Sequence, residues 1–198
     1  TAAAGGSGGA GAPRLVTDDD TAVLDDDLQP VAPGEVGRLA RKGWIPLGYR
    51  NDPVKTAATF PVVEGVRWSV PGDLARLEED GTITLLGRGS QCINTGGEKV
   101  FPEEVEKAVK HHPAVFDALV VGVPDERFGQ RVVAVGSLRL GTEQPDDEEL
   151  AAHASTHLAG YKVPRAWVRV AHCERLPTGK PDYRWATATA REALGIDA

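Results

Sequence analysis

The sequence predicts an α+β fold in two parts, β-rich up to about residue 88 and mixed beyond it. Leu74–Leu77 and Thr82–Leu86 flank Glu79-Asp80-Gly81, a strong local hairpin signal. After Gly87 the character changes: Val105, Ala108 and Val109 recur at helical spacing, and the unbroken apolar run Val115–Val123 reads as a buried strand. A length of 198 residues allows one large or two small domains. At 41% hydrophobic the chain can bury a core, while 23 Gly and 14 Pro place much of it in turns and loops.

Residues 1–13, TAAAGGSGGAGAP, have no periodicity and almost nothing to bury, so their ordering entropy would go unrecovered; a flexible linker or mobile loop is expected. Six aspartates lie between Asp18 and Asp27, and the apolar Ala22, Val23 and Leu24 among them suggest a short strand. These aspartates read as a solvated face or hairpin edge in preference to a metal site. Val36–Arg41 reads as a strand. Asp52 followed by Pro53 reads as an N-cap and first-turn proline of a short helix through Phe60.

The segment Gly87-Arg88-Gly89-Ser90 joins the two parts. Beyond it, Pro102–His111 is predicted as an amphipathic helix with Glu103 and Glu104 in its first turn, where the helix dipole favours them. Strands are expected at Val115–Val123, Arg131–Leu140 and Trp167–Val170. Helices are expected at Asp146–Leu158, carrying Leu150, Ala151, Ala154 and Leu158, and from Asp182 to about Leu194. No internal repeat is visible.

Composition narrows the function classes. With 22 Lys+Arg against 29 Asp+Glu, a net charge of −7, and neither a basic stripe nor an aromatic platform, the chain gives no reason to expect a nucleic-acid partner. No apolar run approaches the roughly 18 residues of a spanning helix, so no transmembrane segment is expected. Residues 1–13 lack the charged start and apolar middle of a signal peptide, and a cytoplasmic location is expected. Cys92 and Cys173 cannot alone form a disulfide framework or a multi-cysteine zinc site. His153 and His157 are four apart, but residue 154 is Ala, so the His-Glu-x-x-His pattern is absent and no metal site is expected. His111-His112 reads as capping of a helix C-terminus. The chain contains no Met and opens on Thr1, which suits a processed product or a fragment.

Three segments could carry chemistry. In Pro71-Gly72-Asp73-Leu74-Ala75, a carboxylate leads into a hairpin whose far end delivers Arg88; acceptor and donor side by side suit a ribose diol, although Asp73 alone also reads as a turn or cap residue. In Asn94-Thr95-Gly96-Gly97-Glu98-Lys99-Val100-Phe101-Pro102, paired glycines just before a helix let backbone approach a ligand closely, or simply form a tight turn. In Leu176-Pro177-Thr178-Gly179-Lys180-Pro181-Asp182-Tyr183-Arg184, a lysine on a Gly-flanked loop can be delivered to an anion, or stand as a solvated surface lysine.

In this order and spacing the segments, with Gly34-Glu35 and Gly48-Tyr49-Arg50-Asn51-Asp52-Pro53 before them, resemble the C-terminal part of the adenylate-forming superfamily: acyl-CoA synthetases, luciferases and peptide-synthetase adenylation domains. The resemblance covers roughly residues 30–190, and Gly-Gly-Glu-Lys-Val-Phe-Pro-Glu-Glu-Val-Glu is most similar to fatty-acyl or steroid-side-chain CoA ligases. It implies that residues 1–88 end the large N-terminal AMP-binding domain and that 89–198 form the small, mobile C-terminal lid domain. Asp73 then matches the aspartate on the ATP ribose, with Arg88 beside it. Ser90 falls at the hinge, where many relatives carry Asp or Lys. Gly96, Gly97 and Lys99 match the loop facing the site when CoA attacks, and Lys180 matches the adenylation lysine. Arg184 departs from the family's Gly-Lys-x-x-Arg spacing by one residue and is given no role.

The implied substrates are a small-molecule carboxylate, ATP (leaving as AMP) and CoA, with Mg2+ bound mostly by an upstream part. The family's phosphate loop and acyl pocket lie upstream, so this chain is expected to be a C-terminal fragment, inactive by itself. Two other readings are an adenylation domain loading a carrier-protein thiol, which predicts a downstream carrier domain, and a non-catalytic binding module lacking the catalytic half.

Overall fold

The computed structural model describes residues 14–141 and 143–196. The glycine-rich stretch 1–13, expected to be a flexible linker, lies outside the described residues. The chain divides after Ser90 into two compact units.

The first unit carries β1 (Arg14–Leu15), β2 (Thr21–Leu24), β3 (Val36–Arg41), α1 (Pro53–Thr59), β4 (Val62–Val63), β5 (Val66–Arg67), β6 (Asp73–Leu77) and β7 (Ile83–Arg88). Five strands form an antiparallel sheet in the order β1-β7-β6-β3-β2, and β4 pairs with β5 apart from it. Alternation along these strands divides the core. Val23, Val31, Ala75 and Ile83 form one cluster, and Leu24, Ala40 and Val70 form another. The aspartates flank β2 in its turns. Asp18 accepts from the Thr21 hydroxyl and pairs with Arg41 at 3.0 Å, while Asp25 accepts the amides of Asp27 and Gln29. Asp52 caps α1 by accepting the Lys55 amide at 2.9 Å, with Pro53 in the first turn, and the helix ends at Thr59. Strands β4 and β5 carry no alternation long enough to read from sequence; their two-residue turn has positive φ at both Glu64 and Gly65.

The second unit carries β8 (Ile93–Thr95), β9 (Glu98–Val100), α2 (Pro102–Lys110), β10 (Val115–Asp125), β11 (Gly129–Leu138), α3 (Asp147–Ser155), β12 (Ala166–Arg169) and α4 (Tyr183–Ala193). Strand order is β10-β11-β8-β9, and β12 joins β11 in parallel after the crossover through α3. Helices cover both faces. Val105 and Val109 of α2 and Leu150 and Ala154 of α3 pack with Val120, Val132 and Ala134. Ala186 and Ala190 of α4 pack with Leu119, Val121, Val133 and Val135 on the other face. A strand buried on both sides needs no polar alternation, which is why 115–123 reads as a continuous apolar run.

Strand β11 sits two residues earlier than the sequence suggests. The Asp125 side chain accepts the amides of Arg127 and Phe128, and Gly129 takes φ +76°, so the turn closes at Gly129 and pairing begins there. Leu140, placed in that strand by its apolarity, is wholly exposed beyond its end. No helix of the described residues is long and apolar enough to cross a membrane.

Candidate functional site

Asp73 opens β6 and Arg88 closes β7, directly opposite each other in the register. Arg88 Nε lies 2.9 Å from Asp73 Oδ1, and the side chains keep 55% and 33% of their surface exposed, so the pair is formed yet reachable. Its alignment depends on a bulge. Leu74 pairs with Gly87 while Ala75 pairs with Leu85, leaving Leu86 as an extra residue, and Gly87 takes φ +122°. The glycine before Arg88 therefore re-aims the strand end. On the other side Gly72, at φ +93°, accepts the Gly89 amide at 3.0 Å and closes the hairpin mouth.

The paired glycines do not run into a helix, as the sequence reading had them. Thr95 pairs with Glu98, so Gly96 and Gly97 are the two central residues of the β8–β9 hairpin, with φ +61° and +87°. Two consecutive positive φ values are the requirement of a type I′ turn, and glycine meets it without strain. Helix α2 begins only at Pro102, after β9. The Gly96 amide donates to the Phe128 carbonyl at 2.9 Å, whereas a Cβ built on Gly97 would meet nothing within 4 Å. The outer glycine thus presents bare backbone to open space. Lys99 is exposed on β9, opposite Asn94.

Lys180 stands at the outgoing base of a second loop, whose tip is Pro177-Thr178-Gly179. Arg175 bridges to Pro181, the Leu176 amide donates to the Lys180 carbonyl at 2.9 Å, and Gly179 takes φ +79°. The lysine is exposed. Asp182 then caps α4 by accepting the Trp185 amide at 3.0 Å. Ser90 is exposed in the single helical turn Gly89–Gln91 and is the last residue of the first unit. Arg184 is exposed on α4 and lines, with Gln91, Tyr183, Thr187, Arg191 and Ile196, an open cavity of about 650 Å³. Asp73 and Arg88 thus belong to the first unit, and Gly96, Gly97, Lys99 and Lys180 to the second.

Two groups escaped the sequence reading. Glu106 of α2 is 6% exposed, and its carboxylate accepts the Val120 amide at 3.0 Å. Burial pushes the Glu106 carboxyl above its ordinary range, and burial together with the Glu106 and Glu103 charges pushes the Tyr183 phenol up as well. The signal was available: Glu106 stands on the apolar stripe of α2, one turn from Pro102 and Val109.

The second group is a histidine array. His112 is not a solvated cap but a buried ring: its Nδ1 accepts the Ala114 amide at 3.2 Å and its Nε2 lies 3.5 Å from Glu149. It meets His153 edge-on at 4.9 Å, His153 meets His157 at 5.4 Å, and His157 meets His111 at 5.2 Å. Among the described residues no three His, Cys, Asp or Glu are placed to hold a metal. Burial, and then the neighbouring imidazoles, lower the His153 pKa from 6.5. The unfolded chain therefore takes up this proton before the folded one does. The stability His153 contributes is complete above about pH 6.5 and is lost as pH falls below it. His153→Phe, which keeps the edge-on packing, is expected to flatten the acid side of the stability curve, and urea midpoints at about pH 7 and pH 5 measure the difference from the parent chain.

Residues 104–180 match the family described as AMP-binding enzyme C-terminal domain. The chain is 61% identical over 178 residues to the 3-oxocholest-4-en-26-oate–CoA ligase of Rhodococcus rhodochrous, a match covering 89% of this chain and 32% of that protein. The chain carries the AMP-binding enzyme C-terminal domain. It is also 56% identical over 184 residues to the medium/long-chain-fatty-acid–CoA/3-oxocholest-4-en-26-oate–CoA ligase of Mycolicibacterium smegmatis, covering 92% of this chain and 33% of that one. Among solved structures, o-succinylbenzoate CoA synthetase from Bacillus subtilis, in complex with its acyl-adenylate intermediate, is similar with a TM-score of 0.74 and 30% identity over 82% of this chain and 32% of that one. The chain thus spans about a third of the length of the relatives it matches, over their C-terminal portion.

Proposed function

We propose that this chain supplies the C-terminal portion of an ATP-dependent acyl-CoA ligase acting on a fatty-acid or steroid-side-chain carboxylate. The observation that carries the reading is the reachable Asp73–Arg88 pair at the mouth of a glycine-shaped hairpin, 2.9 Å apart. A carboxylate accepts two hydroxyl donors and a guanidinium beside it donates to their oxygens, which is what a ribose diol requires.

In this reading the first unit is the end of the large AMP-binding domain and the second is the mobile domain, with Ser90 as the hinge. The reaction has two steps. A substrate carboxylate oxygen attacks the α-phosphorus of ATP, forming acyl-AMP and expelling pyrophosphate; the CoA thiol, losing its proton, then attacks the acyl carbon and expels AMP. Lys180 offsets negative charge on the carboxylate and α-phosphate in the first step. The Gly96–Gly97 turn, with Lys99 beside it, faces the pantetheine in the second, and rotation about Ser90 exchanges the two. The described residues assemble no site for Mg2+, and no step here runs through it.

A fusion tests the reading. Joined to the upstream two-thirds of the Rhodococcus rhodochrous ligase, this chain is expected to restore ATP- and CoA-dependent thioester formation from 3-oxocholest-4-en-26-oate. A soluble, folded fusion that makes neither acyl-AMP nor thioester would overturn it.

A further inference from the structure

Residues 42–50, between β3 and α1, combine a fixed backbone with bare side chains. Arg67 of β5 donates to the Pro46 and Leu47 carbonyls at 2.9 and 2.8 Å, and the Tyr49 amide donates to the Thr56 hydroxyl of α1 at 2.9 Å. Gly48 lies so close to α1 that a Cβ there would stand 2.6 Å from Thr56 Cγ2. Yet Trp44 and Leu47 are 102% and 94% exposed, and neither belongs to the two core clusters of the first unit. A single exposed apolar side chain is ordinary, but two large ones three residues apart on a pinned loop mark a contact surface. The loop is ordered before anything covers it, so covering it costs little further conformational entropy. Tryptophan is also the side chain that most often anchors an interface.

We propose that Trp44 and Leu47 anchor the first unit to the upstream portion of the ligase polypeptide, seated in an apolar socket with an acidic rim. This rests on the reading of the chain as the C-terminal portion of a longer ligase. Three observations select that occupant. The matches cover 32% and 33% of the two ligases, leaving about two-thirds of each outside them. The clusters of the first unit hold only four and three buried residues, against thirteen and nine in the second, so a unit this small gains most from added apolar cover. Charge then argues against a second copy of the chain. Lys42, Arg50 and Lys55 flank the loop, while Asp20 stands beside Gly43 and the Asp52 carboxylate is engaged in capping α1. A two-fold pairing through this surface would set those cations against their own images, whereas an acidic rim complements them.

Hydroxyl-radical footprinting of the chain alone and of the soluble fusion described above tests this. In the chain alone Trp44 and Leu47 are expected to be labelled as fast as in the urea-unfolded chain; in the fusion labelling is expected to fall about tenfold, as for an anchor shut away from water. Trp44→Ser should leave the unfolding midpoint of the chain alone within about 2 °C of the parent's, since nothing packs on that ring. In the fusion the same substitution should return Leu47 to fast labelling, and Trp44→Phe, which keeps an aromatic anchor, should preserve most of the protection. Equal labelling of the loop in chain and fusion overturns the proposal. So does protection in the chain alone that grows with its concentration, which would make a second copy the occupant, or protection given only by phosphatidylglycerol vesicles, which would make it a lipid surface. The readout needs no turnover. A fusion that makes thioester while its loop stays labelled sinks the docking claim and keeps the functional reading; an inactive fusion with a protected loop does the reverse.

Discussion

Lys180→Ala in the fusion ligase is expected to slow acyl-adenylate formation by about 10² to 10³, roughly 3 to 4 kcal/mol, the usual cost of deleting one donor aimed at developing transition-state charge. Thioester formation from supplied acyl-AMP should change much less, because the reading gives that step to the Gly96–Gly97 turn. The geometry supports a selective effect. Lys180 is exposed at the base of a loop whose backbone bonds run between Leu176, Gly179 and Lys180 itself, so truncating the side chain removes no packing. Separate assays of the two half-reactions decide it: equal losses would remove the two-face mechanism, and no loss in either would return Lys180 to an ordinary surface lysine.

Gly37→Ala is expected to unfold the first unit preferentially, at a cost of about 3 kcal/mol, the upper end for forcing an extra methyl into a packed site. Gly37 lies in β3, paired with Ala75, at a point where β2 passes unusually close. A Cβ there would sit 2.5 Å from the Leu24 carbonyl oxygen and 3.0 Å from Val23 Cγ1. The obstructing atom is backbone and belongs to a residue paired with Arg38, so it can retreat only by opening the β2–β3 ladder. For a unit of this size the loss lowers the unfolding midpoint by on the order of 15 °C. Thermal melts followed by amide signals of Ala75 and Ile83, against those of Leu119 and Val133 in the second unit, should show the shift in the first pair only. A midpoint within about 2 °C of the parent's would mean that the ladder accommodates the methyl.

Much of this architecture was legible because it is decided locally. Asp52, Asp146 and Asp182 each cap a helix by accepting an amide three residues on, a bond that needs nothing from the rest of the chain. The β6–β7 hairpin was legible for the same reason, and with it the meeting of Asp73 and Arg88 across its mouth. What was not legible depended on pairing. Strands β8 and β9 are three residues each with exposed polar positions, so nothing in their composition distinguishes them from loop, and the glycines between them read as the approach to a helix. Glu106 was hidden by its charge. Burial of a carboxyl can be inferred only when its partners are known, and the partner here, the Val120 amide of β10, meets it through tertiary packing.

The tie between the Lys180 loop and β10 also bears on how the second unit is assembled. Arg175 and Asp117, which form it, are 58 residues apart in sequence. The β10–β11 hairpin can close from neighbouring residues, whereas this tie spans the crossover through α3 that lays β12 alongside β11. Its larger loop-closure entropy favours its forming late, when most of the sheet already exists. A partly folded second unit would therefore hold a near-complete sheet and no ordered lysine loop, so the presentation of Lys180 reports that folding has finished.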